Sequence, residues 1–476
     1  MGKDLTKHST IQLFIICLVF HLLLLLPLNQ SELEAAVSSG KLVTHLPWLA
    51  VQPLPFHLET GYIGIGGRQS SRYDDDNDSS DNELFYYFIK SERNPKEDPL
   101  VLWLTGGPRC SSFSGLAFEI GPVYMTQVEY SHVSSPTLTL NPNSWTKIAN
   151  IIFLDQPVNT GFSYTKSSND PEMSDTISWL IQNPEFQSNP IYIAGDSYAG
   201  IIVPIVFQHL IRDIEDGTHP FLNLKSYSLG NPVTHMEMEK NARVEYAYGM
   251  GFVSYELYQS MRANCNGNFL NFDLSNANCS RNRQVYEDLI SGINLSQILE
   301  PLCIEGSTVT AYPNPAEMIQ HSERIYCRNQ RTLMSQYWAN DVAVRKALHV
   351  REGTIGKWNR CNRCNRGLPY EKDVKSAIEY HRNISTKGYK VLIYSGDHDM
   401  RVVRISTESW IRSLDNLSIL DEWRPWFVSG LIAGFTRAYS NGLTYATVKG
   451  GGHEAPGYKP EECYAMFERW ISNTPL

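Results

Sequence analysis

The sequence predicts an α/β fold: a mostly parallel central sheet with helices on both faces and an inserted cap region. Two observations lead there. Short apolar runs bounded by turn residues recur along the chain with helical patterns between them, the alternation that lays helices on the faces of a parallel sheet. Between Pro232 and Tyr337 that alternation fails, and asparagines, four cysteines and two Asn-x-Ser sequons appear instead.

The predicted strands are, in order, LFYYFI at 84–89, LVLWL at 100–104, NIIFL at 150–154, IYIA at 191–194, LKSYSLG at 224–230, KVLIY at 390–394 and TYATV at 444–448. Several are apolar at successive positions, as strands buried on both faces must be. Helical patterns run through YAGIIVPIVFQHLIRDI from Tyr198, NDVAVRKALHV with Asn340 as N-cap, ISTESWIRSL from Ile405 and PEECYAMFERWI from Pro460. The irregular stretch at 233–337 is read as the cap. One core with such an insertion suits a chain of 476 residues, and 42% hydrophobic content supplies ample material to bury. The acidic run DDDNDSSDNE at 74–83 lacks the glycine and spacing of an EF-hand and reads as a solvated loop.

The chain opens with the polar MGKDLTKHST, and an apolar block follows from Ile11 to Leu28. That is the layout of a secretory signal peptide, assigned to residues 1–36, with the α/β domain at 37–476. A signal anchor is the rival, because ~20 apolar residues span a bilayer, and Met1-Gly2 also suits myristoylation. His21 and the polar NQSELEAAVSS after Pro27 favour cleavage, so no stable membrane anchor is expected. The secretory route then ends outside the cell or in the vacuole. Its oxidising compartments turn the eight cysteines left beside Cys17 into candidates for bridges. Five Asn-x-Ser sequons, at Asn77, Asn278, Asn294, Asn383 and Asn416, are candidate glycosylation sites. A formal charge of -9 without a long Lys/Arg run excludes nucleic acid as a partner, leaving small molecules or peptides.

Gly195-Asp196-Ser197-Tyr198-Ala199-Gly200 is a G-x-S-x-A-G variant of the G-x-S-x-G motif, with its second glycine one place later, at the point where a strand ends and a helix begins. Flanking glycines allow a turn sharp enough to push Ser197 Oγ clear of the sheet, and the helix N-terminus favours developing negative charge. A serine hydroxyl needs a base, and in the α/β-hydrolase fold an acid and then a histidine follow the nucleophile in the chain. Asp397 and Asp399 follow strand KVLIY; Asp399 is chosen because the acid must clear the strand end to reach imidazole Nδ1. His453 follows strand TYATV, and His398 is read as a bystander. The oxyanion also needs N–H donors: Tyr198, after the nucleophile, and Gly107, in the loop WLTGGPRCSS after strand LVLWL. No residue cluster calls for a metal or an organic cofactor.

LPFHLETGYIGI, NIIFLDQPVNTGFSY, GDSYAG, YSGDHDM and GGGHEAPGYKPEEC, taken in order, resemble the serine carboxypeptidase family, and more closely its plant serine carboxypeptidase-like branch. The resemblance implies Ser197, Asp399 and His453 as the triad, with the backbone N–H groups of Gly107 and Tyr198 as the oxyanion hole. In the family's peptidases an Asn before the glycine pair, a Glu in the next helix and a Glu before the nucleophile hold the substrate carboxylate. Here Thr105, beside Gly106, Glu119 and Asp196 stand at those positions. The Thr and Asp choices resemble the branch that moves an acyl group from a glucose ester to a hydroxyl-bearing acceptor in secondary metabolism. Release of C-terminal residues from peptides is the alternative, and a catalytically impaired relative is a third.

The resemblance also implies disulfides Cys265 with Cys279, Cys303 with Cys327, and Cys110 with a cysteine of WNRCNRCNRG. In that segment Cys361 and Cys364 compete, and spacing to the following GLPY favours Cys364; Cys463 is expected as a buried free thiol. Arg109 and Asn159 stand where the family has Gly, and Glu454 and Gly457 alter the loop after the catalytic His. If position 109 needs a positive φ, Arg there adds strain on the order of 1 kcal/mol or more. The segment between Tyr164 and Pro190 is roughly a dozen residues shorter than in the family, which predicts a stunted crossover helix.

Overall fold

The computed structural model describes residues 40–65, 82–127, 136–166, 183–219, 222–269, 275–302, 328–362, 372–415 and 417–476. Fourteen strands are described: β1 (Lys41–Val43), β2 (Leu58–Ile65), β3 (Asn82–Ile89), β4 (Leu100–Leu104), β5 (Val123–Gln127), β6 (Pro136–Leu140), β7 (Asn150–Leu154), β8 (Tyr164–Thr165), β9 (Ile191–Asp196), β10 (Leu224–Gly230), β11 (Lys390–Gly396), β12 (Ile419–Val428), β13 (Leu431–Tyr439) and β14 (Leu443–Val448). All but β5 and β6 join one sheet, in the order β1-β2-β3-β7-β4-β9-β10-β11-β14-β13-β12 with β8 beside β3. From β7 through β14 every pairing is parallel. Both margins are antiparallel: β1, β2 and β3 on one side, β13 and β12 on the other.

Burial on both faces is what makes the central strands read as unbroken apolar runs. Along β4, Val101 and Trp103 enter one apolar cluster, whereas Leu100, Leu102 and Leu104 enter the cluster on the opposite face. Helix α1 (Ala199–Glu215) covers the second face with Val203, Phe207, Leu210 and Ile211. The C-terminal helix, Pro460–Ile471, covers the first with Met466, Phe467 and Trp470, and Phe467 stacks on Trp145 at 4.1 Å between ring centroids. Fully burying side chains of this size is worth ~1.5–3 kcal/mol each, so both layers are held chiefly by apolar contact.

The sequence-predicted strands recur within a residue or two of their expected ends. β1, β2, the β5–β6 hairpin, β8, β12 and β13 were not foreseen. The stretch from β10 to β11 carries helices α2 (Met236–Gly249), α3 (Tyr255–Asn264), α4 (Ala277–Ile290), α5 (Arg328–Asn340), α6 (Val342–Ala347) and α7 (Ile378–Ser385), and no strand among its described residues. Part of it forms its own apolar cluster around Val244, Tyr246, Met261, Tyr286 and Ile298, which Met400 and Val403 join to the loop after β11. Asn340 ends α5 rather than capping the next helix. Asp341 is the N-cap of α6, its Oδ1 accepting from the N–H groups of Ala343 and Val344. Here a carboxylate beats the neighbouring amide because it sits one residue nearer the free N–H groups.

Residues 1–39, which include the predicted signal segment, lie outside the described residues, as do Asn77, Asn416, Cys303, Cys327, Cys364, most of the acidic run and most of the shortened crossover. Among the described residues no helix is long and apolar enough to cross a membrane.

Candidate active site

The parallel strands bring five loops to one edge of the sheet. Leu104 pairs with Gly195, Asp196 with Gly230, Gly230 with Tyr394 and Gly396 with Val448, so the carboxyl ends of β4, β9, β10, β11 and β14 lie side by side. Crevices outside strand carboxyl ends are the usual ligand sites of such sheets. Ser197 occupies the turn from β9 into α1 with φ 56°. Its neighbours must be glycine: a Cβ at Gly195 would fall 2.3 Å from Leu104 O, and one at Gly200 would fall 2.4 Å from Val233 O. The hexapeptide 195–200 is therefore set by contact with two other segments as well as by the turn.

Ser197 Oγ lies 2.8 Å from His453 Nε2, and His453 Nδ1 lies 2.8 Å from Asp399 Oδ2. Asp399 is fully buried and also accepts from the N–H of Arg401 at 2.6 Å and from Asn231 Nδ2 at 2.8 Å. Asp397 turns elsewhere, accepting from Gly450 N at 2.7 Å and pairing with Lys449. Burial by itself would push the His453 imidazole down, but the charge and hydrogen bond of Asp399, helped by Asp196, outweigh it and leave the pKa raised. The arrangement can take a proton from a serine hydroxyl and hold it on a stabilised imidazolium.

Gly106 faces the nucleophile so closely that a Cβ there would lie 2.6 Å from Tyr198 N and 2.8 Å from Ser197 Cβ. Gly107 follows at φ 123°, ahead of a cis bond to Pro108, and Arg109 has φ 64°. Asn159, the other substituted glycine position, has φ 65°. Both replacements therefore fall in the left-handed region, where a Cβ costs energy and asparagine is best tolerated.

The Cys110 bridge runs to Cys361, not to Cys364. The backbone fixes this choice: Ser111 N donates to Arg360 O at 2.7 Å and Asn362 N donates to Arg109 O at 2.8 Å, a short antiparallel bridge that sets residues 110 and 361 opposite each other. Repetition of Arg-Cys-Asn gave both cysteines the same local signature. Cys265 and Cys279 are joined, and Cys463 is buried as a thiol. Among the sequons, Asn278 and Asn383 are exposed, while Asn294 is half-buried in the wall of the cleft over Ser197.

Three carboxyl groups gather beside Ser197, His453 and Asp399. Glu119 is buried, and neither of its oxygens has a hydrogen-bond partner among the described residues. Burial, then the charges of Asp196 and Glu454, hold it well above the usual carboxylate range. Asp196 accepts from Gly106 N at 3.2 Å; burial and then Glu454 push it up to about 6. Glu454 pairs with Arg360 at 3.6 Å across the cleft. Thr105 is buried with its hydroxyl accepting from Trp103 Nε1 at 3.1 Å. Asn231 and Arg360 were not singled out from sequence, although Asn231 follows a predicted strand at φ 41°, next to a proline.

Comparison with known proteins agrees with this geometry. The family model described as serine carboxypeptidase matches residues 47–473. Serine carboxypeptidase-like 8 of Arabidopsis thaliana is 47% identical over 451 residues, covering 92% of this chain and 96% of that protein. Serine carboxypeptidase-like 17 of the same plant is 43% identical across the whole of both chains. The crystal structure of Kex1(delta)p, a prohormone-processing carboxypeptidase from Saccharomyces cerevisiae, superposes with a TM-score of 0.68 at 19% identity, covering 92% and 96% of the two chains, a likeness of fold. With its α/β-hydrolase fold, this chain belongs to the serine carboxypeptidase family.

Proposed function

We propose that the protein is a serine carboxypeptidase-like acyltransferase that moves an acyl group from a glucose ester to a hydroxyl-bearing acceptor through an acyl-Ser197 intermediate. Ser197 Oγ attacks the ester carbonyl carbon as its proton passes to His453 Nε2, and Asp399 holds the imidazolium. The tetrahedral oxyanion is received by the N–H groups of Gly107 and Tyr198. Collapse breaks the bond to the glucose oxygen, which leaves with the proton from His453. The acceptor hydroxyl then gives its proton to His453 and attacks the acyl-serine carbonyl, releasing the new ester and restoring Ser197.

The observation that carries acyl transfer over peptide release is Thr105. Its short hydroxyl is occupied by the Trp103 indole N–H, at the position where the family's peptidases present an Asn amide toward the substrate carboxylate. Behind it, Glu119 has neither oxygen hydrogen-bonded among the described residues and is held toward its neutral form. Thr105, Gly106, Glu119 and Asp196 are thus proposed to line the seat of the sugar or acceptor. The test offers acylglucose with varied alcohols, and in parallel N-blocked dipeptides, at pH 5 and pH 7. Ester exchange with little dipeptide cleavage is expected, together with fluorophosphonate labelling that Ser197→Ala abolishes. Dipeptide turnover exceeding transfer makes it a carboxypeptidase, and a wild type that resists the fluorophosphonate makes it an impaired relative. Entry to the secretory route and glycosylation at the exposed Asn278 and Asn383 form part of the same proposal.

A further inference from the structure

The segment Asn294–Gln297, between α4 and α5, runs across the two loops that carry Asp399 and His453. Toward the histidine loop, Ser296 O accepts from the backbone N–H of His453 at 2.7 Å, and Gln297 Nε2 donates to Gly450 O at 3.0 Å. Toward the acid loop, Leu295 O accepts from Met400 N at 2.9 Å, His398 O accepts from Ile298 N at 3.2 Å, and Ser296 Oγ accepts from Arg401 Nε at 2.7 Å. The side chain of Gln297 closes the crossing, because its Oε1 lies 3.1 Å from His398 Nδ1. Gly452 makes the close approach possible: a Cβ there would meet Ser296 O at 2.4 Å.

The strap is itself held. Asn294 Oδ1 accepts from Ser296 N at 3.1 Å and Gln297 Oε1 accepts from Leu299 N at 3.3 Å, while Gln297 and Ile298 are both buried. Ile298 belongs to the same apolar cluster as Met400 and Val403. We propose that Asn294–Gln297 is a positioning strap for the catalytic pair, with Gln297 as the residue that clamps the His453 loop to the Asp399 loop. Direct ties between those loops exist on the other side, where Gly451 O accepts from His398 N at 2.9 Å and Gly450 N donates to Asp397 at 2.7 Å. The strap adds the bond to the backbone of His453 itself. A lateral drift of the imidazole would lengthen both of its catalytic hydrogen bonds, and proton transfer is steeply sensitive to such drift.

The proposal rests on the triad reading above, so its test has a readout independent of turnover. In protein labelled with 15N-histidine, the His453 imidazole is titrated in wild type, Gln297→Ala and Gln297→Glu, and fluorophosphonate labelling rates are taken on the same samples. Gln297→Ala is expected to shift the His453 midpoint and to slow labelling about tenfold while the fold and Tm are largely kept. Gln297→Glu retains the acceptor facing His398 but loses the donor to Gly450 O, and is expected between the two. If the midpoint and labelling rate of Gln297→Ala coincide with wild type, the strap is refuted. A wild type whose His453 titrates but which neither labels nor turns over substrate would instead overturn the triad reading while the midpoints still decide the strap.

Discussion

At position 109 the backbone adopts φ 64°, and the residue there is an arginine two places beyond the proposed oxyanion donor Gly107. A side chain in the left-handed region costs about 1 kcal/mol, so Arg109→Gly is expected to raise unfolding stability by about that amount in urea titration. Asn159→Gly should change stability by less than about half as much, since asparagine tolerates the same φ; an equal gain at both sites would mean that strain is not what separates them. Asn231 carries a second prediction. It donates to Asp399 Oδ2 and accepts from Gly396 N at 3.1 Å, and so fixes the acid from the neighbouring strand end. Asn231→Ala should lower kcat about tenfold or more with KM little changed, as expected for a group that acts through the triad. Serine, acid and histidine were legible in sequence because each sits in a short motif directly after a recognisable strand. Asn231 was not, because its role depends on β10 and β11 being neighbours, which no local pattern states. The Cys361 pairing was hidden for the opposite reason, two identical local patterns competing for one partner.

Among elements, the segments around Asp155 decide whether the loop after β4, the proposed oxyanion loop, stays in place. Asp155 is buried after β7, where it accepts from Ser111 Oγ at 2.6 Å, Ser112 N at 2.8 Å and Phe162 N at 2.9 Å, so it ties the loop after β4 to the loop after β7. Burial pushes its carboxyl up to about 6 against the pull of those donors. Asp155→Asn must turn an NH2 group toward at least one of the donors, at a cost of about 1–3 kcal/mol. Thermal denaturation should register that loss, and fluorophosphonate labelling should slow with it; a variant as stable as wild type would show that the donors find other partners. The central strands were legible for the same reason they are stable: burial on both faces writes a continuous apolar run. β12 and β13 were not, because their exposed edge intersperses polar residues and Pro425 among apolar ones, leaving no run to recognise. Of the helices between β10 and β11 only α6 had a legible pattern, in NDVAVRKALHV; the others were legible only as a break in the alternation, since their polar faces hide the 3.6-residue period.

Across the whole molecule, four buried acids share one sign, whereas at Glu59 the upward push of burial is outweighed by His57 and Lys90 and the carboxyl is lowered. Asp155 and Asp196 are pushed up to about 6, Glu239 to about 7, and Glu119 well above its usual range, in every case by burial first. Each therefore binds a proton more tightly folded than unfolded. Between the unfolded carboxylate range near pH 4 and these raised values, the folded state holds more protons, so stability falls as pH rises. His453, whose pKa is also raised, loses its contribution in the same direction as pH climbs through its folded value. His381, buried against Tyr227 and Trp410 and lowered to about 3 by burial, acts oppositely: its term is present above the ordinary imidazole pKa and is lost as pH falls toward 3. His381 and His349, which burial likewise lowers, oppose four carboxyls and His453, so the balance between pH 5 and pH 7.5 belongs to the acids. Tm is expected to be higher at pH 5 than at pH 7.5 by at least about 3 °C. Glu119 is the group to isolate, because neither of its oxygens has a hydrogen-bond partner among the described residues to hold its charged form. Glu119→Gln mimics the neutral carboxyl, so its Tm should match wild type at pH 5 and exceed it at pH 7.5. A wild-type Tm that rises toward neutral pH, or a variant that follows the wild-type curve in parallel, would show that Glu119 is already ionised in the fold and that the acid cluster beside Ser197 carries full negative charge.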